Sequence, residues 1–188
     1  MKQIIYAFFR QILFWMLYFA LARTVFIVYN INLIRVEGVN IQEVFASYWH
    51  ALHLDFATTC YFMFFPLLLI LVQTVYQHRI LGKINRVYTF FALLLYSLLV
   101  SVELGIYPEW KTKLPFKAFT YLSNPTEVYD TVSTSMFFSL IGIFVALLTV
   151  SYYAYNKWFY TEVPGYRRNY LFSAAMILIT PVMLFIGA

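Results

Sequence analysis

The chain has 188 residues, of which 63% are hydrophobic and only 11% are charged, whereas a soluble domain carries about 25% charged residues. Because a membrane-spanning helix takes roughly 20 mainly apolar residues, the length suffices for five spans and leaves no room for a second, soluble domain. The formal net charge of +5 would suggest nucleic-acid binding in a soluble protein. Here the basic residues are better explained as determinants of membrane topology, and no nucleic-acid partner is expected.

The first predicted element is a membrane span over about residues 4–29, with Arg10 near its start and Arg23 near its end. A charge within an apolar span costs roughly 3 kcal/mol on insertion scales. Two interpretations of Arg23 follow. Its side chain snorkels to the membrane surface, or it pairs with an acid or a lipid headgroup.

A short amphipathic helix is predicted over residues 40–54, before the second span. Apolar residues recur there at helical spacing: Ile41, Val44, Phe45, Tyr48, Trp49 and Leu52. Asn40 and Glu43 are spaced like a capping box. Because the segment is too short to span a membrane, it is expected to lie in the interface or to run obliquely into the second span. Trp49 should then face lipid or span packing, and Gln42 should face water.

Four further spans are predicted, over about residues 56–76, 87–105, 132–155 and 170–187. Pro66 lies inside the second span and is expected to kink it or loosen one turn. Residues 103–130 are the longest polar stretch and are predicted to form a structured outer loop between spans three and four. The predicted fold class is therefore an all-α membrane protein with five transmembrane helices, forming one polytopic domain over residues 1–188.

The distribution of charge predicts the orientation of these spans. With the N-terminus inside, the inner segments hold eight basic residues and one acid, and the outer side holds five basic residues and seven acids. The positive-inside rule favours this arrangement. Five spans then place the C-terminus outside, and a further extracytoplasmic domain is expected to follow the last helix.

Three ionisable residues are predicted to meet at one level of the membrane. Arg23 ends span one, Asp55 begins span two and Glu103 ends span three. Buried charges need such partners, so Arg23 is expected to contact at least one of the two acids. The cluster is interpreted either as a clamp that fixes helix packing or as part of a site for a lipid headgroup or a partner domain.

Two weaker candidate sites accompany this cluster. His50 and His53 are three residues apart and are candidate metal ligands, although one nearby acid leaves the ligand set incomplete, and histidines on a polar helix face are the alternative. The other candidates lie where the outer loop leaves span three and could contact the phosphates of anionic phospholipids, or form a solvated basic face. These residues are Trp110, Lys111, Lys113 and Lys117.

Several short patterns resemble one family. They are the string Glu103-x-x-x-Tyr107-x-x-Trp110 followed by Lys113, the loop pattern Ala118-Phe119-x-Tyr121-Leu122-x-x-Pro125-x-Glu127-Val128, the run His50-Ala-Leu-His-Leu-Asp55, and Arg23 ending span one. Over nearly its whole length the chain is similar to the membrane domain of lipoteichoic acid synthase-like proteins. These are phosphoglycerol transferases of the sulfatase/alkaline-phosphatase superfamily.

The resemblance implies a bacterial cytoplasmic membrane location and five helices that precede an extracytoplasmic, sulfatase-fold domain. In the family that domain carries a threonine nucleophile and a divalent metal, often manganese. It moves glycerol phosphate, or a related headgroup, from a membrane lipid to an acceptor. No catalytic or cofactor-binding residue is therefore expected in this chain. Membrane anchoring and presentation of the lipid substrate carry over, and Arg23, Asp55, Glu103, Trp110 and Lys113 match the positions concerned.

Two other functions remain open on the sequence. A small transporter or channel would line its path with Arg23, Asp55 and Glu103, although transporter sites usually lie near mid-membrane. A membrane assembly subunit would use the same helices to bind another membrane protein. Motifs typical of soluble enzymes, such as a P-loop or HExxH, are absent from the sequence.

Overall fold

The computed structural model describes residues 2–75, 78–110 and 133–160, and nearly all of them are helical. The helices are α1 (Lys2–Tyr29), α2 (Ile31–Val36), α3 (Ile41–Val75), α4 (Arg79–Trp110) and α5 (Thr134–Ala154). Within these ranges there is no strand, and α1, α3, α4 and α5 are each long and apolar enough to cross a membrane. The predicted all-α fold with several spans is confirmed to this extent. The fifth predicted span, over residues 170–187, lies outside the described residues.

The four long helices alternate in direction along the chain. Gln11 of α1 meets Asn85 of α4, and further along Phe26 packs on Tyr107, so α1 and α4 run parallel. Helix α3 runs antiparallel to α1, and α5 runs antiparallel to α4. Such an up-and-down order is what short connections between spans produce.

The alternation gives the bundle two ends of different charge. At the acidic end, α1 and α4 finish and α3 and α5 begin. This end carries two basic residues, Arg23 and Arg35, and the acids Glu37, Glu43, Asp55 and Glu103. At the basic end, α4 begins and α5 finishes, and it carries Arg79, Lys83, Arg86 and Lys157. Asp55 and Glu103 thus lie on the same side of the bundle, as the order of the helices requires.

An aromatic cluster forms the core between α1, α3 and α4. Trp15 is fully buried and stacks on Phe62 with the ring centroids 4.6 Å apart. Tyr96 of α4 packs on Phe19 at 4.9 Å, and Phe14 contacts Tyr155 at 5.0 Å. Lipid tails are as apolar as leucine, so helices in a membrane associate through packing rather than through a hydrophobic force. Large, closely stacked rings supply that packing.

The segment before the second span is helical, but it is not a separate element. Residues 41–75 form one helix of 35 residues, about 52 Å long, so the segment runs directly into the second span, one of the two arrangements predicted for it. The physical reason is that residues 52–58 contain no glycine, proline or capping residue that ends a helix. Trp49 is 76% exposed and Gln42 is exposed too. The two residues are seven apart and share one side of the helix, so the assignment of Trp49 to lipid or span packing and of Gln42 to water stays a prediction.

The start of α3 has the predicted capping interactions. The side-chain oxygen of Asn40 accepts a hydrogen bond from the Gln42 N–H at 3.5 Å, and a Glu43 carboxylate oxygen accepts from the Asn40 N–H at 3.3 Å. This reciprocal pair satisfies two N–H groups that otherwise have no partner at a helix start. Gly38 precedes the cap with a φ of +69°, a conformation that L side chains disfavour.

The end of α5 departs from regular α-helix. Residues Tyr155–Phe159 form a single π turn, closed by a hydrogen bond of 2.7 Å from the Tyr160 N–H to the Tyr155 carbonyl. Two aromatic residues of this wider turn point into the bundle. Phe159 packs on Phe14 with the ring centroids 5.4 Å apart, and Tyr155 is buried. The fourth predicted span therefore ends with inward-facing aromatic side chains at the basic end of the bundle.

Pro66 is accommodated in α3 by a hydrogen bond from a neighbouring helix. Proline has no N–H, so the carbonyl of Phe62, one turn earlier, lacks its helical partner. The Tyr88 hydroxyl of α4 donates to that carbonyl at 3.0 Å. Neighbouring helices commonly satisfy backbone groups that a proline frees within a membrane span.

Tyr88→Phe should lower the free energy of unfolding by about 1 kcal/mol, the scale of interhelical hydrogen bonds in membranes. The loss should shrink in a Pro66→Ala background, because residue 66 then donates its own N–H to Phe62. Unfolding in detergent, followed by circular dichroism, measures both values. Tyr61→Phe is the matched control, since Tyr61 is 49% exposed and its loss of a hydroxyl should have little effect. An equal cost of Tyr88→Phe in both backgrounds would contradict the assignment.

Candidate functional site

An ion pair joins α1 to α3 on the acidic side of the aromatic core. The Arg23 Nη2 atom lies 3.0 Å from the Asp55 Oδ1 atom, with the two side chains only 16% and 13% exposed. The expected contact between Arg23 and one of the two acids is therefore present. Both residues lie within stretches long and apolar enough to span a membrane, where an unpaired charge is costly.

Residues of α3 hold the Arg23 guanidinium from a second direction. Its Nη1 atom donates to the Ser47 carbonyl at 3.5 Å, and the guanidinium carbon lies 5.6 Å from the centre of the Tyr48 ring. The Tyr48 hydroxyl in turn bonds the Thr24 hydroxyl at 2.9 Å. The spacing from Ser47 to Asp55 is eight residues, so one side of α3 contributes an acceptor, a ring and a carboxylate to a single arginine.

Tyr96 of α4 lies on the helix face that also carries Glu103, seven residues further along. Its ring packs on Phe19 of α1 with the centroids 4.9 Å apart. Glu103 is partly exposed and lies two turns further along α4. We refer to Arg23, Asp55, Tyr96 and Glu103 as the Tyr96 cluster.

The two carboxylates of the Tyr96 cluster are not equivalent. Asp55 is paired with Arg23, whereas Glu103 makes no ion pair within the part of the chain that the structure describes. The formal charges of Arg23, Asp55 and Glu103 add up to −1. Sequence reasoning had placed these three residues at one level but missed Tyr96, although its position seven residues before Glu103 puts both on one helix face.

A second polar group links three helices at the basic end and had not been predicted. The Gln11 side chain of α1 and the Asn85 side chain of α4 exchange hydrogen bonds of 3.3 and 3.4 Å. Asn85 also donates to the Tyr155 hydroxyl at 3.4 Å. The signal was available, because amides within apolar spans need partners. The group contains no charge and ties α1, α4 and the end of α5 together.

Of the weaker candidates, only the two histidines are described with their side chains. His50 and His53 are both exposed, and the described residues contain no group of three or more histidine, cysteine or acidic side chains that could hold a metal. Trp110 is the last residue of α4, and only its backbone is described. The remaining loop candidates lie outside the described residues; they are Lys111, Lys113 and Lys117.

The fold is that of a multi-pass α-helical membrane protein, with an ion pair between α1 and α3 inside stretches apolar enough to span a membrane. No protein-family model, curated protein or solved structure matches the chain.

Arg23→Leu should lower the free energy of unfolding by about 2–3 kcal/mol, because it strands the carboxylate of Asp55 in a partly buried position. The loss should be smaller in Arg23→Leu/Asp55→Leu, which removes both charges. Unfolding in detergent measures the coupling between the two sites. Arg35→Leu is the matched control, since Arg35 is exposed and its removal should change stability by less than about 0.5 kcal/mol. Additive losses in the double variant would contradict the ion pair.

Proposed function

We propose that this chain is the membrane domain of a lipoteichoic acid synthase-like transferase of the sulfatase family, and that it presents a phospholipid headgroup to an extracytoplasmic catalytic domain. The observation that supports headgroup binding most directly is the partly buried Arg23 guanidinium. It is fixed in place from α3 at the acidic end of the bundle. In this proposal the catalytic threonine and a manganese-like metal belong to that catalytic domain.

Arg23 has donors left over for a ligand. A guanidinium carries five N–H donors, and the described contacts of Arg23 engage one carboxylate oxygen and one carbonyl. The pairing with Asp55 is through a single oxygen rather than bidentate. The planar donor fork of arginine matches phosphate oxygens, so a phosphodiester group could bind beside Asp55 without breaking the ion pair.

The same proposal places the acidic end outside the cell and the basic end in the cytoplasm. Its support is the positive-inside rule applied to the two ends, which differ in sign in the structure as in the sequence. The headgroups of the outer leaflet and the proposed catalytic domain would then meet the bundle on the side where the Tyr96 cluster lies.

Lipid retention tests the headgroup site. The full chain, purified in detergent and analysed by native mass spectrometry, should retain one tightly held phospholipid. Arg23→Leu should lose it, whereas Arg35→Leu should keep it. Asp55→Asn should weaken the binding less than Arg23→Leu does, because the guanidinium loses the carboxylate that orients it but keeps its donors for the phosphate. Lipid retention that is unchanged in Arg23→Leu would contradict the proposal and leave the ion pair as a structural clamp.

Cysteine accessibility tests the orientation. In intact cells, an impermeant maleimide should label a cysteine placed at Thr112 and should not label one at Lys83 until the membrane is opened. Lys83 is chosen because it is exposed, whereas a Cβ at Gly82 would lie 2.6 Å from the Tyr160 hydroxyl. The native Cys60 is 1% exposed and should give little background. Labelling in the reverse order would contradict the orientation.

A further inference from the structure

A lysine and two aromatic side chains meet on the outer side of α5 at the basic end of the bundle. The Lys157 Nζ atom donates a hydrogen bond of 3.1 Å to the Tyr153 hydroxyl. The same ammonium lies 5.3 Å from the centre of the Tyr153 ring and 5.6 Å from that of Trp158, within the range of cation–π attraction. All three side chains are exposed. We refer to Tyr153, Lys157 and Trp158 as the Lys157 group.

The Lys157 group faces the surroundings of the bundle and not its interior. Helix α5 is the least enclosed of the four long helices, since 11% of its apolar stretch is buried, against 28% to 39% for the other three. The π turn that ends α5 separates two sets of side chains, because Tyr155 and Phe159 point inwards whereas Lys157 and Trp158 are exposed. Single π turns within α-helices are frequent at functional sites. In a membrane, this side of α5 contacts lipid.

The charge of Lys157 has no acidic counterpart among the described residues. Every acid that the structure describes lies at the opposite end of the bundle, namely Glu37, Glu43, Asp55, Glu103 and Glu109. The described part of the basic end instead adds Arg79, Lys83 and Arg86. Its potential is therefore positive, which favours a ligand with negative charge.

We propose that the Lys157 group binds the phosphate of an anionic phospholipid in the leaflet at the basic end of the bundle. An ammonium has three N–H donors, and Lys157 uses one of them on Tyr153. The two others, together with the Tyr153 O–H and the Trp158 indole N–H, are donors of the kind that phosphate oxygens accept. Because Tyr153 already holds the ammonium, less side-chain freedom is lost when the phosphate binds.

The residue one turn further into the membrane fits the acyl chain of the same lipid. Val150 is 59% exposed and lies three residues before Tyr153, so the two share one side of α5. From the middle of the helix to its end, this side is apolar, then aromatic, then basic. Acyl chain, interface and phosphate follow each other in the same order in a bilayer leaflet. A soluble phosphate ester lacks the apolar part that Val150 contacts, so the site fits a lipid.

The net charge of the headgroup determines which phospholipid binds best. Phosphatidylcholine carries an ammonium of its own that offsets its phosphate, whereas phosphatidylglycerol has no such cation and is attracted more strongly to Lys157. Because the Lys157 group is open on one side, its lipid exchanges with the surrounding bilayer. It is therefore distinct from the lipid proposed to be held at Arg23, which lies at the acidic end.

Quenching of Trp158 fluorescence by brominated lipids tests this inference, because bromine quenches an indole that it contacts. The full chain carrying Trp49→Phe and Trp110→Phe keeps two tryptophans, of which Trp15 is fully buried and Trp158 is 57% exposed. In phosphatidylcholine nanodiscs, brominated phosphatidylglycerol should bind beside Trp158 about fivefold better than brominated phosphatidylcholine, the scale for one lysine near a membrane surface. A ratio of one in this chain would overturn the inference.

Substitutions in the same background identify the groups that bind the phosphate. Lys157→Gln should reduce the ratio to near one, and Tyr153→Phe should reduce it in part, because it removes a donor and the acceptor that holds the ammonium. Lys157→Arg keeps the positive charge and should keep the ratio. Lys83→Gln is the matched control, since it removes an exposed lysine of α4 at the same end, and it should leave the ratio unchanged. An equal loss in Lys83→Gln, or no loss in Lys157→Gln, would show general attraction to the basic end and overturn the site.

A soluble competitor separates a lipid from a free phosphate as the ligand. An excess of inorganic phosphate should leave the ratio unchanged when compared with chloride at the same ionic strength. A ratio that falls to one with phosphate alone would show a soluble ligand and contradict the lipid assignment. None of these results alters the test at Arg23, so the two proposals fail independently.

Discussion

The Arg23–Asp55 ion pair is the constraint on which the arrangement of α1 and α3 depends. The Arg23 Nη2 and Asp55 Oδ1 atoms are 3.0 Å apart, and both side chains are mostly buried. Both residues lie within stretches long and apolar enough to cross a membrane. In such surroundings neither charge is tolerated alone. The pair therefore fixes the register of one helix against the other, and the contacts of Tyr48 and Ser47 follow from the same register.

Aromatic rings supply the packing between helices that the ion pair does not supply. Lipid gives helices no hydrophobic reason to associate, so the bundle uses Trp15, Phe62 and Tyr96 to fill the space where α1, α3 and α4 meet. Polar side chains connect the helices on either side of this core. Gln11 and Asn85 join α1 to α4 at the basic end, and the Arg23–Asp55 ion pair joins α1 to α3 at the acidic end. The rings thus supply the contact area between the helices. The polar groups determine which helices are neighbours and in what register they pack.

The sequence predicted the helices far better than the contacts between them. Apolar runs and charge counts identified the four spans that the structure describes, because hydropathy reflects the cost of leaving a backbone unsatisfied in lipid. The charges of Arg23 and Asp55 also stood out, since a buried charge requires a partner. The sequence left open whether the amphipathic stretch before residue 55 lies in the interface or continues into the second span, because an amphipathic stretch followed by an apolar one contains no signal that distinguishes two helices from one. Tyr96, Gln11 and Asn85 were missed because the sequence does not show which helices are neighbours.

The two acids predicted beside Arg23 have different roles in the structure. Asp55 comes from α3, which also offers Arg23 a carbonyl and a ring, so its carboxylate belongs to the framework that orients the guanidinium. Glu103 comes from α4, is partly exposed and makes no ion pair among the described residues. A partly exposed carboxylate costs less to leave without an ion pair than a buried one does. The energetic requirement for a partner therefore falls on Asp55, and the same requirement sets the register of α1 against α3.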